Sequence, residues 1–491
     1  MLYSRAVLYF MGTDTTPTAV RRTRLPLWAR LADGVALALS GMALLVAVFG
    51  GFRTRTAGMR VAVTSAPRIL AIIAVIVVAR HLIRRDAPIY QRLWNGLQRA
   101  WASDIMRYVV PVWGVSRLAV LVVGFLALGT FGFRGERPPF SVYENEILDL
   151  PARWDVGWYL GIARDGYSWN PAGAGHQNIA FMPALPMLLR LGGRLNGGHP
   201  LWAGQLLVLA ASLWAFAYVY RLARSALGED EHAAWAVGLL AAYPFAVFYS
   251  AVYTESLFLL CSAGAFYHLG RREFIRAASF ALLCGFTRPN GFLLAAPLAL
   301  VSIWPATLAA WRDKRGRTSA RIAGVVRQSL PALAVASAAA VGLIVFSVFI
   351  YTLTGRPFAW LEAHAAWGRT FGTWLTRGPF QVMHDDGLYV YLRSQPVDAV
   401  NFLAAIGGLL AIWPVTRRLG VPYGAFLAIN LIPPLAAGGL LSIGRVTAAM
   451  FPAFIWLAAV IPARHRAAWL TAFALLQGWG ASLFYTWREF I

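Results

Sequence analysis

The sequence predicts an all-α polytopic membrane protein with about thirteen transmembrane helices, and three observations predict it. Of 491 residues, 59% are apolar and 13% charged, where a soluble chain averages about 25% charged. Mean hydropathy is +0.58. The length also exceeds the roughly 250–300 residues at which a single soluble core stops growing. A water-soluble enzyme is excluded.

A helix needs about 20 apolar residues to cross a hydrocarbon layer of about 30 Å. Windows free of Asp, Glu, Lys and Arg lie at 34–52, 69–79, 118–133, 195–220, 232–254, 256–270, 277–287, 289–311, 328–355, 399–416, 419–444, 446–463 and 467–487. Windows 69–79 and 277–287 are short and need flanking arginines that snorkel to the interface. Arg21, Arg22, Arg24 and Arg30 precede the first window without a cleavage site at the usual distance, which reads as a retained signal anchor.

The net charge is +23, and Lys314 is the only lysine among 44 basic residues. In a soluble chain this excess would point to nucleic acid. Here the arginines sit singly or in short clusters between apolar runs, so they set orientation instead, and no nucleic-acid partner is expected. Loops 1–33, 80–107, 221–232, 271–276, 312–327, 417–418 and 464–466 carry 26 basic and 9 acidic residues; the opposite set carries 17 and 12. The first set is therefore assigned to the cytoplasm. The long loops 134–194 and 356–398 then face out, and long loops are where function concentrates. Cys261 and Cys284 fall within apolar windows and read as packing residues. No Gly-rich phosphate loop or metal-spaced His/Cys pair is present, and no cofactor is required.

Six of the 21 acids lie in the first long loop: Glu136, Glu144, Glu146, Asp149, Asp155 and Asp165. Trp154, Trp158, Tyr159, Ile162 and Ala163 recur at three- and four-residue spacing, so 153–166 reads as an interfacial amphipathic helix. Arg153 and Asp155 fall in its first turn, where amides are free and the helix dipole favours an anion. Spacing leaves two readings open. Asp155 caps the helix and pairs with Arg153, or it takes a proton from a hydroxyl acceptor while Arg153 holds a phosphate.

The loop contains R-W-D-x-x-W-Y-L-x-I-A-x-x-G-Y, then Q-N-I-A-F-x-P-x-x-P-x-x-x-R. In order after it come Pro244-Phe245 with Tyr253-Thr254-Glu255-Ser256, Thr287-Arg288-Pro289-Asn290-Gly291, Trp367-Gly368-Arg369, Ser442-x-x-Arg445 and Phe451-Pro452-x-Phe454. This ordered set resembles the PIG-V-type mannosyltransferases, which add the second mannose in glycosylphosphatidylinositol anchor synthesis, and their bacterial relatives. The resemblance covers roughly 108–491. It leaves 1–107 as an extension with two transmembrane helices and a basic cytoplasmic linker.

The resemblance implies a glycosyltransferase C-type fold: a polytopic, inverting enzyme that uses a polyprenyl-phosphate sugar and carries its catalytic carboxylate on a large non-cytoplasmic first loop. Carried over to this chain, Asp155 is that base. The charge-derived topology independently puts it outside. Where eukaryotic members tend to have His-Glu, this chain has His176-Gln177-Asn178, so amides suited to sugar hydroxyls replace a second acid.

Tyr253, Glu255, Arg288, Asn290, Arg369 and Arg445 all fall at outer ends of windows in that topology. Arg288, Arg369 and Arg445 are candidates for a leaving phosphate, which favours bidentate guanidinium donors. Snorkelling is the bland alternative for each, and helix capping the one for Glu255. Trp154, Trp158 and Trp367 offer aromatic faces on which sugars stack. Arg117, costly in lipid, should face protein. His384-Asp385-Asp386 offers a possible divalent-metal site, with solvated acids as the plainer reading.

The expected partners are a polyprenyl-phosphate sugar, membrane lipids, and a lipid, glycan or protein acceptor. The expected location is a bacterial cytoplasmic membrane with the site outside. The rival classes are a lipid or solute transporter and an inactive scaffold relative. No internal symmetry of the transporter kind is visible.

Overall fold

The computed structural model describes residues 25–49, 52–56, 59–63, 65–86, 88–172, 175–312, 318–369, 384–385 and 387–490. Among them, a helix occupies every one of the thirteen uncharged windows. Nine helices are long and apolar enough to cross a membrane. The other four, Asp230–Ala242, Glu255–Gly270, Phe274–Gly285 and Phe451–Val460, have 13, 16, 12 and 10 residues. At about 1.5 Å per residue none reaches 30 Å, so thirteen full crossings are not confirmed.

The shortfall has a local cause. After Ala242 the chain leaves the helix at Tyr243-Pro244 and makes a 3-10 turn, Ala246–Tyr249. The window 446–463 breaks likewise between Ile443–Ala448 and Phe451–Val460. Irregular backbone at membrane depth is tolerated only where protein buries it or it lines a cavity. These breaks meet at one place, described below.

Glu255–Gly270 is the central helix, with thirteen of its residues buried. It packs against Pro200–Leu227 and Phe274–Gly285. Phe274–Gly285 in turn crosses Thr318–Thr354 at two glycines. A Cβ on Gly285 would lie 2.1 Å from the Ala339 carbonyl oxygen, and one on Gly342 would lie 2.9 Å from the Gly285 Cα. Cys261 and Cys284 are free thiols buried in this packing.

Val110–Phe131 pairs with Ala463–Tyr485 and carries Arg117, which is buried. Its guanidinium donates to the carbonyls of Ala241 (2.8 Å) and Ala246 and to Ser250 Oγ (3.2 Å). The charge that would be costly in lipid instead satisfies carbonyls freed where Asp230–Ala242 ends.

Two departures from the all-helical expectation concern local structure. Between Leu27–Phe49 and Ala66–Ile83 the strands Phe52–Thr56 and Met59–Val63 pair antiparallel, Phe52 opposite Val63 and Thr56 opposite Met59. Thr54, Thr56, Val61 and Val63 supply the β-branched propensity. The amphipathic helix expected over 153–166 runs Val156–Asp165, so Arg153 and Trp154 precede it.

Candidate active site

Asp155 sits at the N-cap position of Val156–Asp165, but its side chain makes no capping bond. The capping reading is thereby corrected: the carboxylate points elsewhere. Its Oδ2 accepts from Arg445 at 3.1 Å. Arg445 Nε donates to Glu255 Oε1 at 2.8 Å, and Arg288 donates to that same oxygen at 3.3 Å. Acid, base, acid and base thus form a chain: Asp155, Arg445, Glu255, Arg288. Exposure is lowest at the Glu255 side chain (0%), intermediate at Arg445 (10%) and Arg288 (14%), and highest at Asp155 (26%). Of the two acids only Asp155 has exposed surface.

The local backbone explains the convergence. Glu255 is the first residue of its helix, where amides are free and the dipole favours a carboxylate. Thr254 before it makes no side-chain cap bond. Arg445 lies in the short helix Ile443–Ala448, entered through Ser442 in the left-handed region (φ 56°). Gly444 allows that helix to sit against Phe245, whose ring a Cβ would meet at 2.1 Å. The Gly444 amide donates to Asn401 Oδ1 at 2.8 Å. The guanidinium of Arg445 then lies over the adjoining rings of Phe248 (4.8 Å) and Tyr253 (4.7 Å). Burial pulls the Arg445 pKa down, but Glu255 and Asp155 more than offset it, so the group stays charged.

Tyr253 is fully buried, and its hydroxyl accepts from the Asp155 amide at 2.9 Å. Asn290 donates to Asn430 Oδ1 at 2.8 Å, which ties the Arg288 turn to the helix Val421–Gly438. Arg369 lies against Gly438 and donates weakly to the Leu441 carbonyl at 3.4 Å. Burial and the neighbouring positive Arg445 and Arg288 push its pKa down to about 10, still cationic at neutral pH. Three guanidiniums and two carboxylates leave the cluster with an excess positive charge.

Beside it stands an aromatic wall. Trp158, one turn beyond Asp155, stacks on Phe181 at 5.7 Å and meets Trp367 edge-on at 5.9 Å. His176 lies 4.4 Å from Trp367. Trp158, Trp169, Asn170 and His176, with Gln177 and Asn178, line a cavity of about 330 Å³. Trp169 and Asn170 were not among the sequence candidates. Their signal was an aromatic beside an amide in the same loop, a pattern too common to single out.

Several of the expected substrate contacts are buried or already engaged within the protein. Arg153 is 0% exposed: it donates to the carbonyls of Tyr485 (2.9 Å), Asp149 (2.8 Å) and Ala152 (2.9 Å), turned away from Asp155. Trp154 spends its indole N–H on the Phe484 carbonyl at 3.0 Å. Tyr253 and Glu255 have no exposed surface, and their polar groups hold the Asp155 amide, Arg445 and Arg288. Gln177 bonds the backbone of Asn170 in both directions, and Asn178 bonds Gly166 and Ser168, so these amides shape the loop. Among the described residues no group of three or more His, Cys, Asp or Glu is placed to hold a metal. His384 and Asp385 are exposed and bond each other, and Asp386 lies outside the described residues.

Residues 137–304, which carry Asp155, Glu255 and Arg288, match the family model described as Mannosyltransferase (PIG-V). No curated protein matches the chain. A solved archaeal oligosaccharyltransferase, AglB from Archaeoglobus fulgidus in complex with an inhibitory peptide and a dolichol-phosphate, is 15% identical, with a TM-score of 0.36. The similarity covers 75% of this chain and 55% of that one, so this chain spans about half its length. The class the fold and the match define is a helical protein with nine membrane-span candidates among the described residues, whose segment 137–304 is similar to a mannosyltransferase family model. The particular family resembled is the PIG-V mannosyltransferases, as the motifs of the first long loop implied.

Proposed function

We propose that the chain transfers a sugar, most simply mannose, from a polyprenyl-phosphate donor to a hydroxyl acceptor, with inversion, on the non-cytoplasmic side of a bacterial membrane. Asp155 takes the acceptor proton as the acceptor oxygen attacks the anomeric carbon. The bond from that carbon to the phosphate oxygen breaks, and its electron pair leaves with the lipid phosphate. Arg288, Arg369 and Arg445 meet that dianion, and the guanidinium geometry suits its oxygens. Trp158 and the neighbouring cavity receive the acceptor, because aromatic faces and amides suit a sugar.

The observation that carries this reading is the charge chain itself. Its one partly exposed acid is Asp155, and the neighbouring Arg369 adds a positive charge that the two acids do not balance. The test is Asp155→Asn in membranes or detergent, assayed with polyprenyl-phosphate mannose. Folding and insertion should persist while turnover falls about 10²–10⁴-fold, the usual worth of a general base. Turnover close to wild type would remove Asp155 from the role.

A further inference from the structure

We propose that residues 484–490 form a strap that positions the Asp155–Arg445 ion pair, reaching each partner through one aromatic ring. The proposal rests on the catalytic reading of that pair and adds positioning residues, Trp487 and Phe490, that touch neither reacting group.

The first arm runs through Trp487. Its backbone is left-handed (φ 59°), as is that of Trp154 (φ 55°), a conformation that crowds the Cβ of any residue but glycine. The two rings lie 5.1 Å apart. Trp154 also donates its indole N–H to the Phe484 carbonyl at 3.0 Å. Trp154 immediately precedes Asp155, so the strap holds the backbone that aims the carboxylate. Unusual backbone held by surrounding structure is a recurrent mark of functional sites.

The second arm runs through Phe490, 1% exposed. Its ring stacks on Phe245 at 5.3 Å and on Phe248 at 6.1 Å. Phe248 underlies the Arg445 guanidinium, and Phe245 is the ring against which Gly444 sits. Gly480 makes room, since a Cβ there would meet Phe490 at 2.4 Å.

Between the arms the strap is tied to a different part of the fold. The Arg134 amide donates to the Thr486 carbonyl at 3.1 Å, and Arg488 donates to the carbonyls of Gly132 (3.1 Å) and Phe131 (3.3 Å). These anchors stop the strap from drifting with either arm. The segment thus spans the two loops whose relative placement sets the 3.1 Å contact between Asp155 and Arg445.

The test compares Trp487→Ala, Trp487→Phe and Phe490→Ala in the full chain with Phe280→Leu, a packing change at the far end of Glu255–Gly270. Misplacement by about 1 Å costs on the order of 10²-fold in rate. Trp487→Ala and Phe490→Ala should therefore lower kcat about 10–100-fold, with the donor KM within about 3-fold of wild type. Trp487→Phe keeps a ring on Trp154 and should recover kcat to within about 3-fold. Amide exchange, which reads local opening, should rise about 10-fold at 155–159 and 443–448 and stay unchanged at 263–269.

Two results would overturn the strap. One is a kcat loss no larger than in Phe280→Leu at matched thermal stability; the other is unchanged exchange at 155–159 and 443–448. The exchange arm needs no turnover, so a fully active Asp155→Asn would defeat the catalytic reading while leaving the strap separately decided. If Phe490→Ala does not fold, Phe490→Leu takes its place with the same expectations at smaller size.

Discussion

The helix Glu255–Gly270 has a charge cluster at each end, one largely exposed and one buried, and the two are built on different terms. At the Gly270 end, His268 accepts or donates to Tyr218 at 2.8 Å and to Glu273 at 2.5 Å, while Arg276 closes on the same carboxylate at 2.8 Å. Each member there has its partner. At the Glu255 end, Arg445 and Arg288 share one carboxylate oxygen, and the other, Oε2, is buried with no hydrogen-bond partner among the described residues. Arg369 adds positive charge without adding an acid. The first cluster, whose arginines are exposed, fastens helices; the second gathers buried guanidiniums beside a partly exposed acid, the arrangement on which the proposed transfer rests. The difference teaches that a charge cluster at a helix end is not itself a sign of function; burial and the nearness of the first long loop set the Glu255 end apart.

The largest effect that would sharpen this contrast comes from Glu255→Gln. Removing one charge from a buried pair leaves the others uncompensated and costs about 3–5 kcal/mol. Thermal unfolding should drop steeply and turnover should be nearly lost. A stable, active Glu255→Gln would erase the distinction between the two ends.

Arg445→Lys should come next. Lysine keeps the charge but not the fork that bridges Asp155 and Glu255, so turnover should fall at least about 10-fold in a folded protein. Arg369→Gln should act on the donor, because hydrogen bonds to charged groups contribute about 1.5–3 kcal/mol. Its donor KM should rise roughly 10–100-fold, with the acceptor KM little changed.

The smallest effect on chemistry is expected at the other end. Glu273→Gln should lower thermal stability only slightly, since solvent screens an exposed pair, and leave turnover per folded molecule as it was. A turnover loss there without a stability change would place function at both ends of the helix.

Much of the fold was legible in the sequence because lipid imposes a one-dimensional rule: uncharged windows become helices, and all thirteen did. The count of crossings was not legible. Windows 232–254 and 446–463 contain Pro244 and Pro452, and hydropathy does not say where a helix stops inside an apolar run. The strand pair 52–56 and 59–63 was missed because its arginines read as a basic loop. For the site, Asp155, Glu255, Arg288 and Arg445 were legible as residues at corresponding ends of spans, and the structure brings those four into one chain. Arg153 misled because adjacency in sequence looked like adjacency in space, whereas the chain turns at Trp154 and sends the two side chains apart. Trp487 and Phe490 carry no charge and follow an apolar run, so no local signal could have marked them.

The sequence by itself determined that this chain lives in a membrane as a helical bundle, and that acids and amides gather in one long loop. Burial of apolar surface in lipid depends on local runs of side chains, which a linear reading captures. Only the tertiary structure decided which arginine faces Asp155, which acid is sealed from solvent, and which rings stand behind them. Those outcomes depend on contacts between residues hundreds of positions apart, where a left-handed turn or a missing Cβ settles the geometry.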